Sequence, residues 1–79
     1  MNTYIFAISN KKFGHKLISV EADNREESYV LAKSKVFPEL LTKGKSILEI
    51  HDMFFEMGYW FEQSMLIEGD DYEITEFKK

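Results

Sequence analysis

The stretch HDMFFEMGYWFEQSM, residues 51–65, decides how this chain folds, because it sets five aromatic side chains (Phe54, Phe55, Tyr59, Trp60 and Phe61) within eight positions. Taken as one helix with Asp52 as N-cap and Gly69 beyond its end, the segment sorts into faces at helical spacing. Met53, Phe54, Met57, Trp60, Phe61 and Met65 share one broad apolar face, which suits a core. Phe55, Tyr59 and Leu66 form a second, narrower stripe beside Glu56 and Glu62. Gly58 argues for another course. Within a helix it costs about 1 kcal/mol relative to alanine. As a turn it makes 46–57 and 59–67 the arms of a long hairpin. The helix is the preferred expectation, and the hairpin stays open beside it.

Outward from this stretch, both flanks alternate. KSILEIH (45–51) sets Leu48 and Ile50 against Ile47, Glu49 and His51, and DYEITEFK (71–78) sets Tyr72 and Ile74 against Glu73, Thr75 and Phe77. The spacing predicts a strand in each. At the other end of the chain, TYIFAI (3–8) is apolar on both faces and reads as a central strand. The polar connection NKKFGH (10–15) leads to KLISVEA (16–22), whose Ile18, Val20 and Ala22 share one side, so the two form a hairpin. A helix follows from Asp23, with Glu26 placed to reach back to that cap. Pro38 stops it near Val36, and PELLTK makes a short turn closed by Gly44. The expected fold is a single α+β domain over 1–79, ordered ββαβαβ, with a three- or four-stranded sheet and two helices on one face.

Composition narrows the class of protein. A chain of 79 residues lies near the lower limit for an unassisted core, and with no cysteine neither disulfides nor thiolate metal sites can supplement it. The 44% hydrophobic and 15% aromatic content suffices for burial and argues against disorder. No apolar run reaches the roughly 18–20 residues needed to cross a bilayer. The expected setting is soluble and cytoplasmic.

Chemistry-bearing motifs are sparse. The four glycines, Gly14, Gly44, Gly58 and Gly69, are scattered rather than arranged as a phosphate loop or dinucleotide fingerprint. His51 and Glu49 offer only two potential metal ligands, and EGDDYE (68–73) lacks the alternating oxygens of an EF-hand loop. The sequence therefore predicts no enzyme, no cofactor and no metal.

Charge is more informative. Residues 1–45 hold eight Lys/Arg against five Asp/Glu, whereas 46–79 hold two against nine, so a formal charge of −4 conceals halves of opposite sign. Such asymmetry suggests an interaction face. The leading expectation is a noncatalytic protein-binding module, contacting a protein partner through Phe55 and Tyr59 with Glu56, Glu62, Glu68, Asp70 and Asp71 around them. An acidic field of this kind can imitate nucleic acid toward a basic groove. In size, acidity and lysine-rich composition, the chain is similar in kind to many bacteriophage early proteins, which implies an inhibitor of a host factor. A second expectation is a small nucleic-acid-binding protein using Lys11, Lys12, Phe13 and Lys16, where an aromatic interleaves with bases. A third is a homodimer that hides both sheet faces or the second helix stripe.

Overall fold

A computed structural model describes residues 1–77 of the chain. Strands β1 (Asn2–Asn10) and β2 (Gly14–Ala22) precede helices α1 (Arg25–Val36), α2 (Glu39–Thr42) and α3 (Ile47–Glu56), and strands β3 (Tyr59–Glu68) and β4 (Asp71–Glu76) follow. The four strands form one antiparallel sheet in the order β2-β1-β3-β4. The fold is therefore α+β, as expected, with β1 central, although the element order is ββαααββ. Lys78, the last residue of the predicted final strand, lies outside the described residues.

Two predicted elements are corrected, both in the aromatic stretch and its approach. Residues 45–51 do not form a strand. Ser46 caps α3 by accepting from the Glu49 backbone N–H at 3.2 Å, and the Glu49 carboxylate reaches back to the Ser46 N–H at 3.5 Å. This reciprocal box satisfies donors that a helix start leaves open, and it outweighs the short alternation. The helix then runs through Phe54 and ends at Glu56, so 52–67 is not one helix. Gly58 has φ of 86°, a conformation favourable only to glycine, and it turns the chain from α3 into β3. The hairpin alternative placed that turn correctly but gave its first arm the wrong structure.

Elsewhere local chemistry agrees with the sequence, with small shifts. Asn24 rather than Asp23 caps α1, its side-chain oxygen accepting from Glu27 N at 2.8 Å. The helix ends at Val36 because Phe37, preceding Pro38, is extended. In the β1–β2 hairpin, Asn10 Oδ1 accepts from the backbone N–H groups of Lys12 and Phe13 at 2.8 and 3.1 Å, and Gly14 takes the positive φ that closes the loop.

The core lies between one sheet face and the helices. Tyr4, Phe6 and Ile8 of β1 and Val20 and Ala22 of β2 are buried against Ala32 and Val36 of α1 and Phe54 of α3. Phe6 and Phe61 lie 5.1 Å apart between ring centres, as do Phe54 and Phe61, which joins strand and helix through tilted and stacked contacts. Where β1 pairs with β3 the register shifts between Ala7 and Ile8, opposite Gln63 and Phe61, leaving Glu62 as an extra residue. Its carbonyl accepts from the Phe77 N–H at 3.0 Å. The inward residues of β3 are consequently Tyr59 and Phe61 before this bulge and Ser64 and Leu66 after it.

Candidate functional site

The sheet carries its helices on one face only. On the other, β1 presents Thr3, Ile5 and Ala7, which pair with Glu21, Ser19 and Leu17 of β2. Continuing across the sheet, Ile5 and Ala7 meet Met65 and Gln63 of β3, and Met65 meets Ile74 of β4. Antiparallel sheets with one solvated face ordinarily turn polar residues outward. Here the middle of that face is Ile5, Ala7, Leu17, Met65 and Ile74, with Ser19, Gln63 and Glu76 as polar members beside them, and Leu17 is 79% exposed. Tyr72 and Ile67 extend the apolar surface toward the β3–β4 turn, where they pair with each other. A shallow depression of about 100 Å³ lies among Ile5, Ala7, Leu17, Met65 and Ile74. Contiguous exposed apolar surface of this kind marks interaction sites in soluble proteins.

The edges of the sheet are less available than its face. Lys35 Nζ donates to the Ser19 carbonyl of β2 at 2.7 Å, a lysine placed at one edge. At the other edge, β4 is six residues long and carries Asp71, Glu73 and Glu76. Short, charged edge strands resist pairing with a further strand. Arg25 ties this edge to α1, donating to Thr75 Oγ1 at 2.9 Å and to Glu73 Oε1 at 3.1 Å. Its pKa is raised, first by a hydrogen bond to Tyr29 and then by Glu73.

The residues predicted as one acidic, aromatic site are distributed over the molecule. Tyr59 is only 6% exposed and stacks on Phe54 at 5.5 Å, so it is a core ring and not a spare anchor. Phe55 is half exposed on α3, with its ring edge-on to His51 at 4.8 Å, and Glu56 is exposed one residue further on. Glu62 sits at the bulge and accepts from Trp60 Nε1 at 2.5 Å. Glu68, Asp70 and Asp71 gather at the β3–β4 turn. That turn lies about 30 Å along β3 from Tyr59 at ordinary strand rise, in a molecule whose longest dimension is 35 Å.

The basic hairpin is also divided. Lys11 and Lys12 are exposed at the tip, and the Lys12 ammonium lies 5.4 Å from the centre of the Phe13 ring. Phe13 packs on Tyr59 at 6.2 Å, while Lys16 Nζ reaches the Val36 carbonyl at the end of α1 at 3.4 Å. The net effect is a molecule with unlike ends. Where Asn2 pairs with Ala22 and Glu68 with Asp71, the residues are Glu21, Asp23, Glu26, Glu27, Asp70 and their neighbours. Where Asn10 pairs with Gly14 and Tyr59, they are Lys11, Lys12, His15 and Lys16, with Glu56 nearby.

A second concavity of about 500 Å³ opens between α1 and α3, lined by Tyr29, Val30, Lys33, Ile47, Leu48 and His51. Lys33 Nζ lies 2.7 Å from His51 Nδ1 and over the rings of Phe55 and Phe61 at 5.6 and 5.8 Å. Burial disfavours its ammonium form and lowers its pKa, while the two ring faces favour the cation. Among the described residues, no group of three or more His, Asp or Glu side chains is arranged to hold a metal ion, and no helix is long and apolar enough to cross a membrane.

Compared with known proteins, the chain matches no family model, no curated protein and no solved structure.

Sequence reasoning offered the sheet faces only as a homodimer surface, its third expectation, and named none of the outer residues as site residues. Ile5 and Ala7 were legible as a second apolar face of β1. Their neighbours Met65 and Ile67 were hidden, because a helix through 52–67 assigns those residues to other surfaces.

Proposed function

We propose that this protein is a noncatalytic protein-binding module whose contact surface is the helix-free face of its sheet. The observation that carries this is the apolar middle of that face, from Leu17 across Ala7 and Ile5 to Met65 and Ile74, on the side of the sheet where polar residues are the rule. An apolar patch flanked by guarded edges favours packing of a protein surface over strand addition. Host-factor inhibition remains compatible with this surface. Phosphate imitation finds less support, since Phe55 and the turn acids Glu68, Asp70 and Asp71 do not share one patch. For nucleic-acid binding, Lys11 and Lys12 at the tip are the available cations.

The test compares the wild type with a Leu17→Lys/Ile74→Lys variant whose fold is checked by circular dichroism. Both residues are half or more exposed, so the monomer should tolerate the change. The wild type is expected to retain a protein in stoichiometric amount, either itself or another, and the folded variant to lose it. Equal retention by both would overturn the proposal.

A further inference from the structure

We propose that the occupant of the outer face is a second copy of this chain, stacked sheet against sheet with its strands running in the opposite direction. This rests on the docking role assigned to that face and specifies its partner. Three observations lead to it.

The first is shape. β1 and β2 are nine residues long and the sheet is four strands wide. At ordinary strand rise and spacing that is about 30 Å by 19 Å, or roughly 500 Å² in projection once the shorter β4 is allowed for. Two such faces bury about 1,000 Å², which reaches the lower bound for a specific interface. A single helix, about 10 Å across, covers only half the width. A partner sheet of the same breadth covers it all.

The second is charge. The acidic end of the sheet holds Glu21 on the outer face, with the β3–β4 turn beside it, and the other end holds His15 on the same face near Lys11 and Lys12, with Glu76 of the edge strand β4, bonded to Gln63, as the one acid between. Stacking with strands parallel would superimpose like ends. Reversing the strands places each acidic end over the partner's basic end, an arrangement that favours encounter and fixes orientation.

The third is register. In a two-fold arrangement with the axis crossing the strands at the level of Phe6, each outer row of one copy lies over a defined row of the other, before the usual offset of about 30° between stacked sheets. On β1 and β2, Leu17 then meets Ser19 and Ile5 meets Ala7, so a large side chain faces a small one, while on β3 and β4 Met65 meets Gln63 and Ile74 meets Glu76 at the sheet edge. Glu21 meets His15. Ser9 Oγ lies 2.7 Å from His15 Nδ1, and with that hydroxyl donating, Nε2 is the N–H that a carboxylate accepts from. The interface is isologous, so every such contact occurs twice.

The experiment is sedimentation of the purified chain across concentration. The wild type should be a dimer in the micromolar range, and Leu17→Lys, still folded, should be monomeric there. Glu21→Lys and His15→Glu should each weaken the dimer by about five- to tenfold, because an exposed pair is lost twice. The combined swap should restore it to within about threefold, since the exchanged charges face each other again. A wild type that stays monomeric at roughly 200 μM, where any interface of useful strength is filled, overturns the proposal. So does a folded Leu17→Lys that dimerises as well as the wild type. Single variants that weaken the dimer without rescue by the swap overturn the antiparallel stacking. A monomeric wild type that retains a different protein through Leu17 and Ile74 overturns the second copy while leaving the docking role intact. Absence of any association overturns both.

Discussion

The two faces of the sheet come from the same strands and share the same two-residue alternation, yet they have opposite surroundings. Toward the helices, Tyr4, Phe6 and Ile8 are all buried, with Phe54, Tyr29 and Phe61 closing over them. Away from the helices, Ile5 and Ala7 sit among Leu17, Met65 and Ile74 with no helix or strand of the described residues above them. Apolar residues on both sides of a central strand are ordinarily explained by cover on both sides. In this chain the helices that pack on the sheet, α1 and α3, both serve one side, and α2 between them has no buried residue. Residue character therefore predicts burial in general, and topology decides which apolar face is left for another protein.

Substitutions at neighbouring positions of that sheet test the contrast most severely. Phe6→Ala opens a cavity under fully buried rings and should cost about 3–5 kcal/mol. A domain of 79 residues has a total stability of about 4–12 kcal/mol, so much of it would be lost. Leu17→Ala, on the open face, should change the stability of the monomer by no more than about 0.5 kcal/mol. Urea unfolding followed by tryptophan fluorescence measures both. The two should also differ in their dependence on protein concentration. If the outer face is occupied by a second copy, the Leu17→Ala deficit grows as concentration rises, because association stabilises only the folded form. The Phe6→Ala deficit should be present in the dilute limit. A large, concentration-independent loss from Leu17→Ala would break the comparison.

A smaller effect is expected where the cover is joined to the sheet. Gly58 holds φ of 86° between α3 and β3, and a Cβ there would meet only Asn10 Nδ2 at an ordinary 3.7 Å. The cost of Gly58→Ala is thus backbone strain without a clash, about 1–2 kcal/mol. Asn10 Nδ2 also donates to the Met57 carbonyl at 2.8 Å, anchoring that turn to the β1–β2 hairpin. Thermal unfolding of Gly58→Ala beside wild type measures the strain. A neutral result would mean that the turn relaxes to negative φ without disturbing either face.

Gly58 also marks how far the sequence could be followed. The first hairpin, α1, its end at Val36 and the break at Pro38 were legible, because alternation, an acidic first turn and the proline all point the same way, although the cap fell one residue later, at Asn24, and the turn after Pro38 is the short helix α2. The segment after Gly44 was not. Its decisive signal was present as Ser46 followed three residues later by Glu49, a capping box ahead of an apolar run, and the five-residue alternation around it was a weaker cue. In β3 the alternation itself was broken. Tyr59 and Phe61 point inward before the bulge at Glu62, and Ser64 and Leu66 after it, so odd and even positions exchange roles midway. Such a change of phase destroys a period of two and leaves spacings that mimic a helix. The predicted contact site inherited that error. On a helix Phe55 and Tyr59 share a stripe, whereas Gly58 separates them into an exposed helical ring and a buried strand ring. The split of charge between the halves of the chain was visible, but its arrangement as two ends of a sheet depends on strand pairing at long range.

The last distinction between the sides lies in how each treats charge. The open face keeps its carboxylates Glu21 and Glu76 on the two edge strands, in solvent, while the helical cover encloses Lys33 partly within the α1–α3 groove. Burial lowers the pKa of Lys33 in the folded protein below the ordinary lysine value. The unfolded chain therefore binds the proton more tightly. Below the lowered pKa both states are protonated, and the folded state carries the full cost of desolvating the ammonium. Between the two values the unfolded state holds more protons, so stability rises with pH across that interval and levels off above it. Lys33→Met keeps an unbranched apolar stem over Phe55 and Phe61 but removes the titration. The difference in urea midpoint between wild type and Lys33→Met should shift in favour of the wild type as pH is raised from neutrality toward the ordinary lysine pKa. Other lysines and tyrosines titrate in both proteins and largely cancel in that difference. A difference that stays flat with pH would mean that the two ring faces and His51 compensate the desolvation completely, and that the covered side holds its cation at no cost.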